Sequence, residues 1–540
     1  MGKRLAKSIS VLLVVLLLIP TLASAAPTTQ GKAEDLRSAL GSVLGEHALL
    51  AVIAMQKGYD GKGDFAQAAA ALGANTDDLT AAIASVYGTE AGAAFKPIWA
   101  SHIGFFVNYV TAVKSGDMAG KQKALDNLDA YRVQQAKFFA DANPNLNQAA
   151  IEAGLKVHID HLLSAFDSYV AKNYTQAYSQ ADMAYKHMYM TGDAIAGAIV
   201  KQFPAKFPGD LTSASSNLRS GLDQILGEHA ILAVWAMQKG IDGAPDFQNA
   251  AALLSQNTDE LTAAVASVYG NDAGAAFKPI WASHIGFLVD YVTATGAKNT
   301  ANQQLAKTNL ADYIVKQATF FSGANPNLPQ ATLEAGLREH IDQLISAFDG
   351  YAAGNYTNVY PTAREAYHHM FMFSGALSEA IVKQFPAKFE PATTPTTPTT
   401  PTNPGTPTMP GMDMTPQVIK LKVGSRTVTV DGMAMTMDVS PLIRNNTTYI
   451  PLRYLAESVG AQLKYTKSSK TVQLTQGGAT VTFQIGQDTF WVNGTKQSLG
   501  AAAIAENGRT QIPVRAVTQA LGWTVGWSAS NGEITLTKAQ

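Results

Sequence analysis

A long internal duplication constrains the fold of this chain more than any other feature of its sequence. LRSALGSVLGEHALLAVIAMQKG, which begins at Leu36, returns 182 residues later as LRSGLDQILGEHAILAVWAMQKG. AGAAFKPIWASHIGF, which begins at Ala91, returns unchanged at the same spacing. Because repeated sequence is the signature of a repeated structural unit, we expect two copies of one fold in the first 390 residues.

Each copy has the composition of helices. Runs rich in Ala, Leu and Gln are interrupted by Gly or Asn-Pro, which end helices. The pattern predicts two tandem all-α bundles, at 33–207 and 215–389, each with four main helices and accessory ones. We expect two short helices within 64–87, the second capped by Thr76. The copies differ most at 118–141, which we interpret as an exposed segment.

The N-terminus has the pattern of a secretory signal, which we place at residues 1–25. Three cations precede the apolar run Ile9–Ile19, which is too short to span a bilayer comfortably, and the small residues Ala23-Ser24-Ala25 follow. We therefore expect a secreted, extracellular protein associated with the cell envelope. Its mature chain would start near Ala26 and would have no membrane span.

A change of composition marks the C-terminal third. Residues 390–416 are a Pro/Thr-rich linker, which we expect to be extended. Beyond it, short alternating runs such as IKLKVG and TVTFQIG predict strands. NNTTYIPLRYLAESVGAQLKY returns about 62 residues later as ENGRTQIPVRAVTQALGWTVGW, and short helices are predicted at 452–459 and 514–521. The overall prediction is a multidomain chain, with two helical bundles before a strand-rich α+β domain at 418–538.

The C-terminal domain resembles the copper amine oxidase N-terminal-like family, also called the stalk domain. The resemblance rests on the pattern P-L-R-x-L-A-E-x-x-G-A and its second occurrence, through Pro451, Arg453, Glu457, Gly460, Pro513, Arg515 and Gly522. The second half departs from the pattern at Gln519. The resemblance implies an extracellular accessory module without oxidase activity, because amine oxidation belongs to a separate catalytic domain. The helical copies resemble no family known to us.

Composition limits the chemistry that this chain can support. It contains no cysteine, which excludes disulfides, thiolate metal sites and cysteine nucleophiles. A metal would have to be held by His, carboxylate or Met. The 40 basic and 41 acidic residues leave no electrostatic footprint for nucleic acid.

Histidines provide the strongest functional pattern. All ten lie in the helical copies, and four recur at matching positions. Each recurring histidine lies on an apolar stripe of a different predicted helix, so each should face the core, and helix bundles build metal sites in this way. Glu46 and Glu228 precede the first histidine of each copy and are candidate ligands or partners. The predicted metal residues are His47, His102, His158, His187 and Glu46 in the first copy, and His229, His284, His340, His369 and Glu228 in the second.

Copper is the metal that the sequence favours, while zinc, iron and haem remain open. The recurring pairs Met188/Met190 and Met370/Met372, with linker methionines Met409, Met412 and Met414, offer thioether sulfur. We expect the protein to capture or buffer this metal, with binding that weakens below about pH 6, where free imidazole protonates. One alternative is a cell-wall or matrix interaction protein whose histidines are structural. Another is a haem- or metal-dependent enzyme of oxygen or peroxide chemistry, although enzyme activity is the weaker expectation.

Overall fold

A computed structural model describes residues 28–390 and 417–538, with gaps in the second range at 431–432, 438, 446, 460–461, 467–468, 477–478, 507–508 and 529–531. The predicted signal segment, nearly all of the linker with its methionines, and Gly460 lie outside the described residues. The chain forms two compact units, one helical and one strand-rich. This division confirms the predicted fold class.

Each helical copy contains six α-helices, and the second also contains two short 3-10 helices, Tyr356–Asn358 and Pro386–Lys388. The helices of the first copy are α1 (Lys32–Asp60), α2 (Phe65–Tyr87), α3 (Thr89–Ser115), α4 (Met118–Ala142), α5 (Gln148–Val170) and α6 (Tyr174–Gln202). Those of the second are α7 (Ala214–Ile241), α8 (Phe247–Tyr269), α9 (Asn271–Gly296), α10 (Thr300–Ala324), α11 (Gln330–Ala352) and α12 (Val359–Gln384).

The prediction of two short helices within 64–87 was wrong. Helix α2 runs through this range, and Thr76 lies inside it instead of capping a second helix. The Thr76 hydroxyl donates to the carbonyl of Leu72, one turn earlier, over 3.1 Å. A threonine side chain that bonds back to its own helix can be accommodated in a helix interior.

The interpretation of 118–141 as an exposed segment was wrong for one face of this stretch. This stretch is helix α4, and its residues Leu128, Tyr131, Gln135 and Phe139 are buried. The same four residue types stand in α10, where they are buried too. The sequence differences therefore lie mainly on the outer face, because only the inner face, at helical spacing, must keep its shape.

Helix α1 forms the centre of the first copy. By length and composition it could cross a membrane, but 94% of its most apolar 18-residue window is buried inside the protein. It is therefore a core helix in the helical unit. Gly41 and Gly192 let α1 and α6 approach closely, since a Cβ on Gly192 would lie 2.7 Å from the Gly41 nitrogen.

The two copies pack against each other through matching buried contacts. Lys57 forms a 2.6 Å ion pair with Asp64, and the Tyr360 hydroxyl from the other copy donates to the same carboxylate over 2.7 Å. The counterpart is a 2.7 Å pair between Lys239 and Asp246, which accepts from the Tyr178 hydroxyl over 2.9 Å. The tandem bundles therefore share charged contacts in a pseudo-twofold arrangement.

The C-terminal unit is a double structure in which every element recurs about 62 residues later. Its first half contains β1 (Gln417–Lys422), β2 (Thr427–Val430), β3 (Met433–Thr436), β4 (Leu442–Arg444), β5 (Thr447–Pro451), α13 (Leu452–Ser458), β6 (Gln462–Thr466) and β7 (Thr471–Gln476). Its second half contains β8 (Ala479–Gln484), β9 (Thr489–Val492), β10 (Thr495–Ser498), β11 (Ile504–Glu506), β12 (Arg509–Pro513), α14 (Val514–Ala520), β13 (Thr524–Ser528) and β14 (Glu533–Lys538).

The halves exchange strands. One sheet has the order β13-β14-β1-β2-β3, a second has β10-β9-β8-β7-β6, and a third has β11-β12-β5-β4. Each five-stranded sheet thus combines three strands of one half with a hairpin of the other. The predicted strands and both short helices are confirmed.

Candidate metal centre

Three histidines of each copy converge in its core. His47 of α1, His102 of α3 and His158 of α5 have ligand nitrogens that all lie within 4.8 Å of one another. We call this group triad 1. The Nε2 atoms of His47 and His102 are 3.1 Å apart. Two nitrogens at that spacing, each about 2.05 Å from a metal, would subtend roughly 100°, which is close to tetrahedral geometry.

The second copy repeats this arrangement. His229 of α7, His284 of α9 and His340 of α11 also have ligand nitrogens within 4.8 Å of one another, and we call them triad 2. The Nε2 atoms of His229 and His284 are 3.2 Å apart. The duplication therefore produces two separate candidate centres with the same ligand set.

The triads are fully enclosed, and this keeps their imidazoles neutral. Burial lowers the pKa of His102 and of His284 to about 4. Burial, with a smaller contribution from the neighbouring imidazoles, lowers the pKa of His158 well below its ordinary value. A neutral imidazole is the form that binds a metal. Protons should therefore compete with metal only at a pH lower than the value of about 6 expected from the sequence.

Backbone geometry fixes the orientation of His102. Its Nδ1 hydrogen-bonds to the carbonyl of Trp99, one turn earlier on α3, and His284 bonds to Trp281 in the same way. Since a carbonyl only accepts, Nδ1 must carry the hydrogen and Nε2 keeps its lone pair. Metal-binding histidines are commonly held by such a bond through the other ring nitrogen.

His158 is the residue that most needs a ligand. It is 0% exposed, and neither ring nitrogen has a hydrogen-bond partner in the part of the chain that the structure describes. His340 is 2% exposed, with the same two unpaired nitrogens among the described residues. An unpaired buried polar group costs roughly 1–3 kcal/mol. A metal ion bound to the triad would satisfy one nitrogen, so these residues fit a metal.

A chain of polar contacts lies next to His47, on the side away from the other triad histidines. Burial, with a smaller contribution from His102, lowers the pKa of His47, and the nearby Asn75 opposes this shift. The Asn75 amide donates to Glu46 over 2.9 Å, and Glu46 receives two bonds from Arg364, at 2.7 and 3.0 Å. Glu46 is therefore paired with Arg364 and is not part of triad 1. Because Arg364 belongs to α12, the second copy completes the surroundings of the first copy's site.

The equivalent chain in the second copy carries different charges. The Asn257 amide donates to Glu228 over 3.1 Å, but Asp182 occupies the position that matches Arg364. Burial and the nearby Asp182 raise the pKa of Glu228, while Lys186 opposes this shift. Lys186 pairs with Asp182 at 2.8 Å and with Glu260 at 2.6 Å. Glu228, like Glu46, lies behind the triad and not within it.

The fourth predicted histidine of each copy stays apart from the triads. The Nε2–H of His187 donates to the carbonyl of Gly154 over 2.8 Å, and His369 donates to Gly336 over 2.9 Å. These bonds give one ring nitrogen of each histidine a backbone partner outside the triads. The structure thus brings together three of the four predicted histidines of each copy.

The helical methionines do not add thioether ligands in the way the sequence pattern indicated. Met188 and Met370 belong to the apolar core. Met190 is 37% exposed and Met372 is 62% exposed, so both face outward from the bundle. One methionine of each pair therefore packs in the core and the other lies on the surface. The preference for copper must be argued from the triads themselves.

Two residues around triad 1, Tyr131 and Asn75, were missed by the sequence reasoning. The ring of Tyr131 stacks on His102 with centroids 4.5 Å apart. Asn75 lies behind His47. Tyr131 recurs as Tyr313 within the segment where the copies differ most. A tyrosine that is identical in both copies, within a segment where most other residues differ, was the signal that could have identified Tyr131.

Comparison with known proteins identifies the C-terminal unit alone. The copper amine oxidase N-terminal domain matches residues 412–466 and 429–536, which confirms the resemblance found in the sequence. No curated protein and no solved structure matches the chain. The family match lies outside the helical copies, so the triads must be interpreted from their own chemistry.

Proposed function

We propose that each triad binds one transition-metal ion, and that the protein captures or buffers this metal, with copper the first candidate. The observation that carries the proposal is the pair of unpaired nitrogens on His158, repeated on His340. Two buried imidazoles without partners would be a repeated cost in a structural core. A bound ion converts that cost into a stabilising interaction.

The charge of the site favours copper(I). Among the described residues, each triad group consists of three histidines, and no carboxylate belongs to it. A buried ion without an anionic ligand keeps its whole charge, and the cost of burying charge rises steeply with that charge. A monovalent ion therefore suits this site better than a divalent one. Zinc, which also accepts imidazole ligands, is the second metal to test.

We place this activity at the cell envelope. The supports are the signal pattern at residues 1–25 and the family match of the C-terminal unit, a type of domain that we associate with extracellular proteins. In this proposal the C-terminal unit holds the metal-binding helical unit at the envelope, and cell-wall components are the candidate partners.

Metal titration of the full chain tests the proposal. At pH 7.5 we expect two equivalents of copper(I) or Zn²⁺ to bind per chain, measured by chelator competition and by elemental analysis after gel filtration. His158→Ala should leave one equivalent bound tightly, and His340→Ala should leave the other. The lost site should weaken roughly 100-fold or more, because removing a direct ligand should cost at least as much as removing an outer partner. The double variant should lose both sites.

Two histidines outside the triads provide matched controls. His161→Gln introduces the residue that already stands at the equivalent position, Gln343, and should still bind two equivalents. His187→Ala should also retain both sites, whereas a four-histidine site would lose one. Absence of uptake in the wild type, or unchanged uptake in the double variant, would contradict the proposal.

Asn75→Ala should weaken the first site selectively. Without the amide, His47 loses a neighbouring side chain that raises its pKa, and removal of such outer groups typically reduces metal affinity 10–100-fold. Competition titration should then resolve one site of unchanged affinity and one weakened site. Asn257→Ala should weaken the other site in the same way. Equal weakening of both sites by Asn75→Ala would point to a general loss of stability and not to loss of this contact.

A further inference from the structure

Triad 1 lies at the inner end of a cavity between three helices of the first copy. The cavity has a volume of about 150 Å³ and is lined by residues of α1, α2 and α3, including His47 and His102. The space exists because its lining includes the small residues Ala51, Ala54, Gly58 and Ala69. The two imidazoles are in this lining and are 0% exposed, so they lie in its inner wall.

The outer end of the cavity reaches the surface. Val107, which is 43% exposed, lies there with the exposed Thr111 and Lys114 of α3. The Lys114 ammonium donates to the carbonyl of Gly58 over 3.1 Å, which links the ends of α3 and α1. The cavity is therefore open to solvent at this end, and the enclosed imidazoles lie at the other.

The lining determines which molecules would be accepted. Between the imidazoles and the mouth, the walls are alanine and large apolar side chains such as Met55, Leu72 and Phe106. A charged molecule would lose its hydration without a partner there. Apolar cavities of about 150 Å³ hold molecules such as benzene or xenon in other proteins. Size and polarity thus point to the same class of ligand.

We propose that this cavity binds a small, uncharged, largely apolar molecule, up to about the size of benzene, beside His47 and His102. The apolar body fills the space left by the alanines, and one end faces the two imidazoles. With a metal in triad 1, this end lies next to the ion, and that part of the inference rests on the proposed function. A donor atom on the ligand would then gain a direct bond.

Benzene and pyridine separate the two parts of the proposal, because pyridine has the same size and adds one nitrogen lone pair. In the metal-free full chain at pH 7.5, benzene should bind saturably in a calorimetric titration. Ala54→Leu should weaken benzene binding at least tenfold, because leucine fills the space, whereas Ala54→Gly should retain it. Loading with cobalt(II), a spectroscopic substitute, should strengthen pyridine binding at least tenfold and change the visible spectrum, while benzene affinity stays the same.

Each outcome decides a separate statement. Absence of saturable benzene binding in a folded wild-type chain would overturn the cavity site, even if both triads bind cobalt. Equal benzene binding by the Ala54→Leu and Ala54→Gly variants would overturn it too. Benzene binding without a gain for pyridine in the cobalt-loaded protein would overturn the placement of the ligand beside the metal. Failure of cobalt to bind would count against the proposed function and would leave the benzene result to decide the cavity.

Discussion

Lowering the pH from 7 to 5 should remove much of the stability of the metal-free helical unit. Its six triad histidines are held neutral by burial, with a pKa of about 4 for His102 and His284 and lowered values for the others. In the unfolded chain each would protonate near its ordinary pKa of roughly 6.5. Below that pH the unfolded state therefore binds more protons, and the free energy of unfolding falls.

The size of this effect follows from the number of groups. Each buried histidine contributes about 1.4 kcal/mol per pH unit between roughly 6.5 and its folded pKa. Two carboxyls act in the opposite direction, because burial raises the pKa of Asp223 to about 6 and also raises that of Glu228. Burial also lowers the pKa of His187 to about 4 and lowers that of His161, and both add to the loss. The net loss between pH 7 and 5 should be on the order of 10 kcal/mol, which is comparable with the whole stability of an ordinary domain.

Denaturant unfolding of chelator-treated full chain, followed by circular dichroism at several pH values, measures this loss. The variant His158→Leu with His340→Leu has two fewer buried imidazoles, so its stability should fall by about 4 kcal/mol less over the same pH range. Metal-saturated protein should resist acid better than metal-free protein, because the ion holds the imidazoles deprotonated. Equal unfolding free energies at pH 7 and 5 would show that the triad histidines are not buried as described.

Asp64→Ala should destabilise the helical unit by about 3–5 kcal/mol, the usual cost of leaving one member of a buried ion pair alone. Asp64 is 1% exposed and neutralises the buried Lys57, whose pKa burial lowers. The substitution also removes the acceptor of the Tyr360 hydroxyl, which comes from the other copy. Both copies should therefore lose stability together, and denaturant unfolding should give one transition at lower denaturant concentration.

Matched variants separate this effect from a general loss of charge. Asp246→Ala removes the equivalent carboxylate and should cost a similar amount. Asp141→Ala breaks a pair with Lys137 in which both side chains are 64% exposed, and it should cost less than about 1 kcal/mol. Replacing both Lys57 and Asp64 by Met and Leu should recover most of the loss. An Asp64→Ala variant within about 1 kcal/mol of the wild type would contradict the buried-pair argument.

The sequence predicted the members of the triads because helical periodicity is informative about direction. His47, His102 and His158 each lie on an apolar stripe, and all three are buried. The same reasoning included His187, which lies on an equally apolar stripe but donates to Gly154 on a neighbouring helix. Periodicity gives the angle of a side chain around its helix. It does not give the height of that side chain relative to residues on other helices.

By itself, the sequence determined the modular plan of this protein. Repeat spacing, helical composition and alternating apolar residues are local or periodic signals, so they established two helical copies and a duplicated strand-rich domain without reference to contacts. Tertiary structure alone decided which residues meet across the repeats. Arg364 reaches Glu46 from the other copy, and β1 pairs with β14 across almost the whole C-terminal unit. Such contacts depend on how helices and strands pack in three dimensions, because the chain segments that form them are far apart in sequence and carry no shared periodicity.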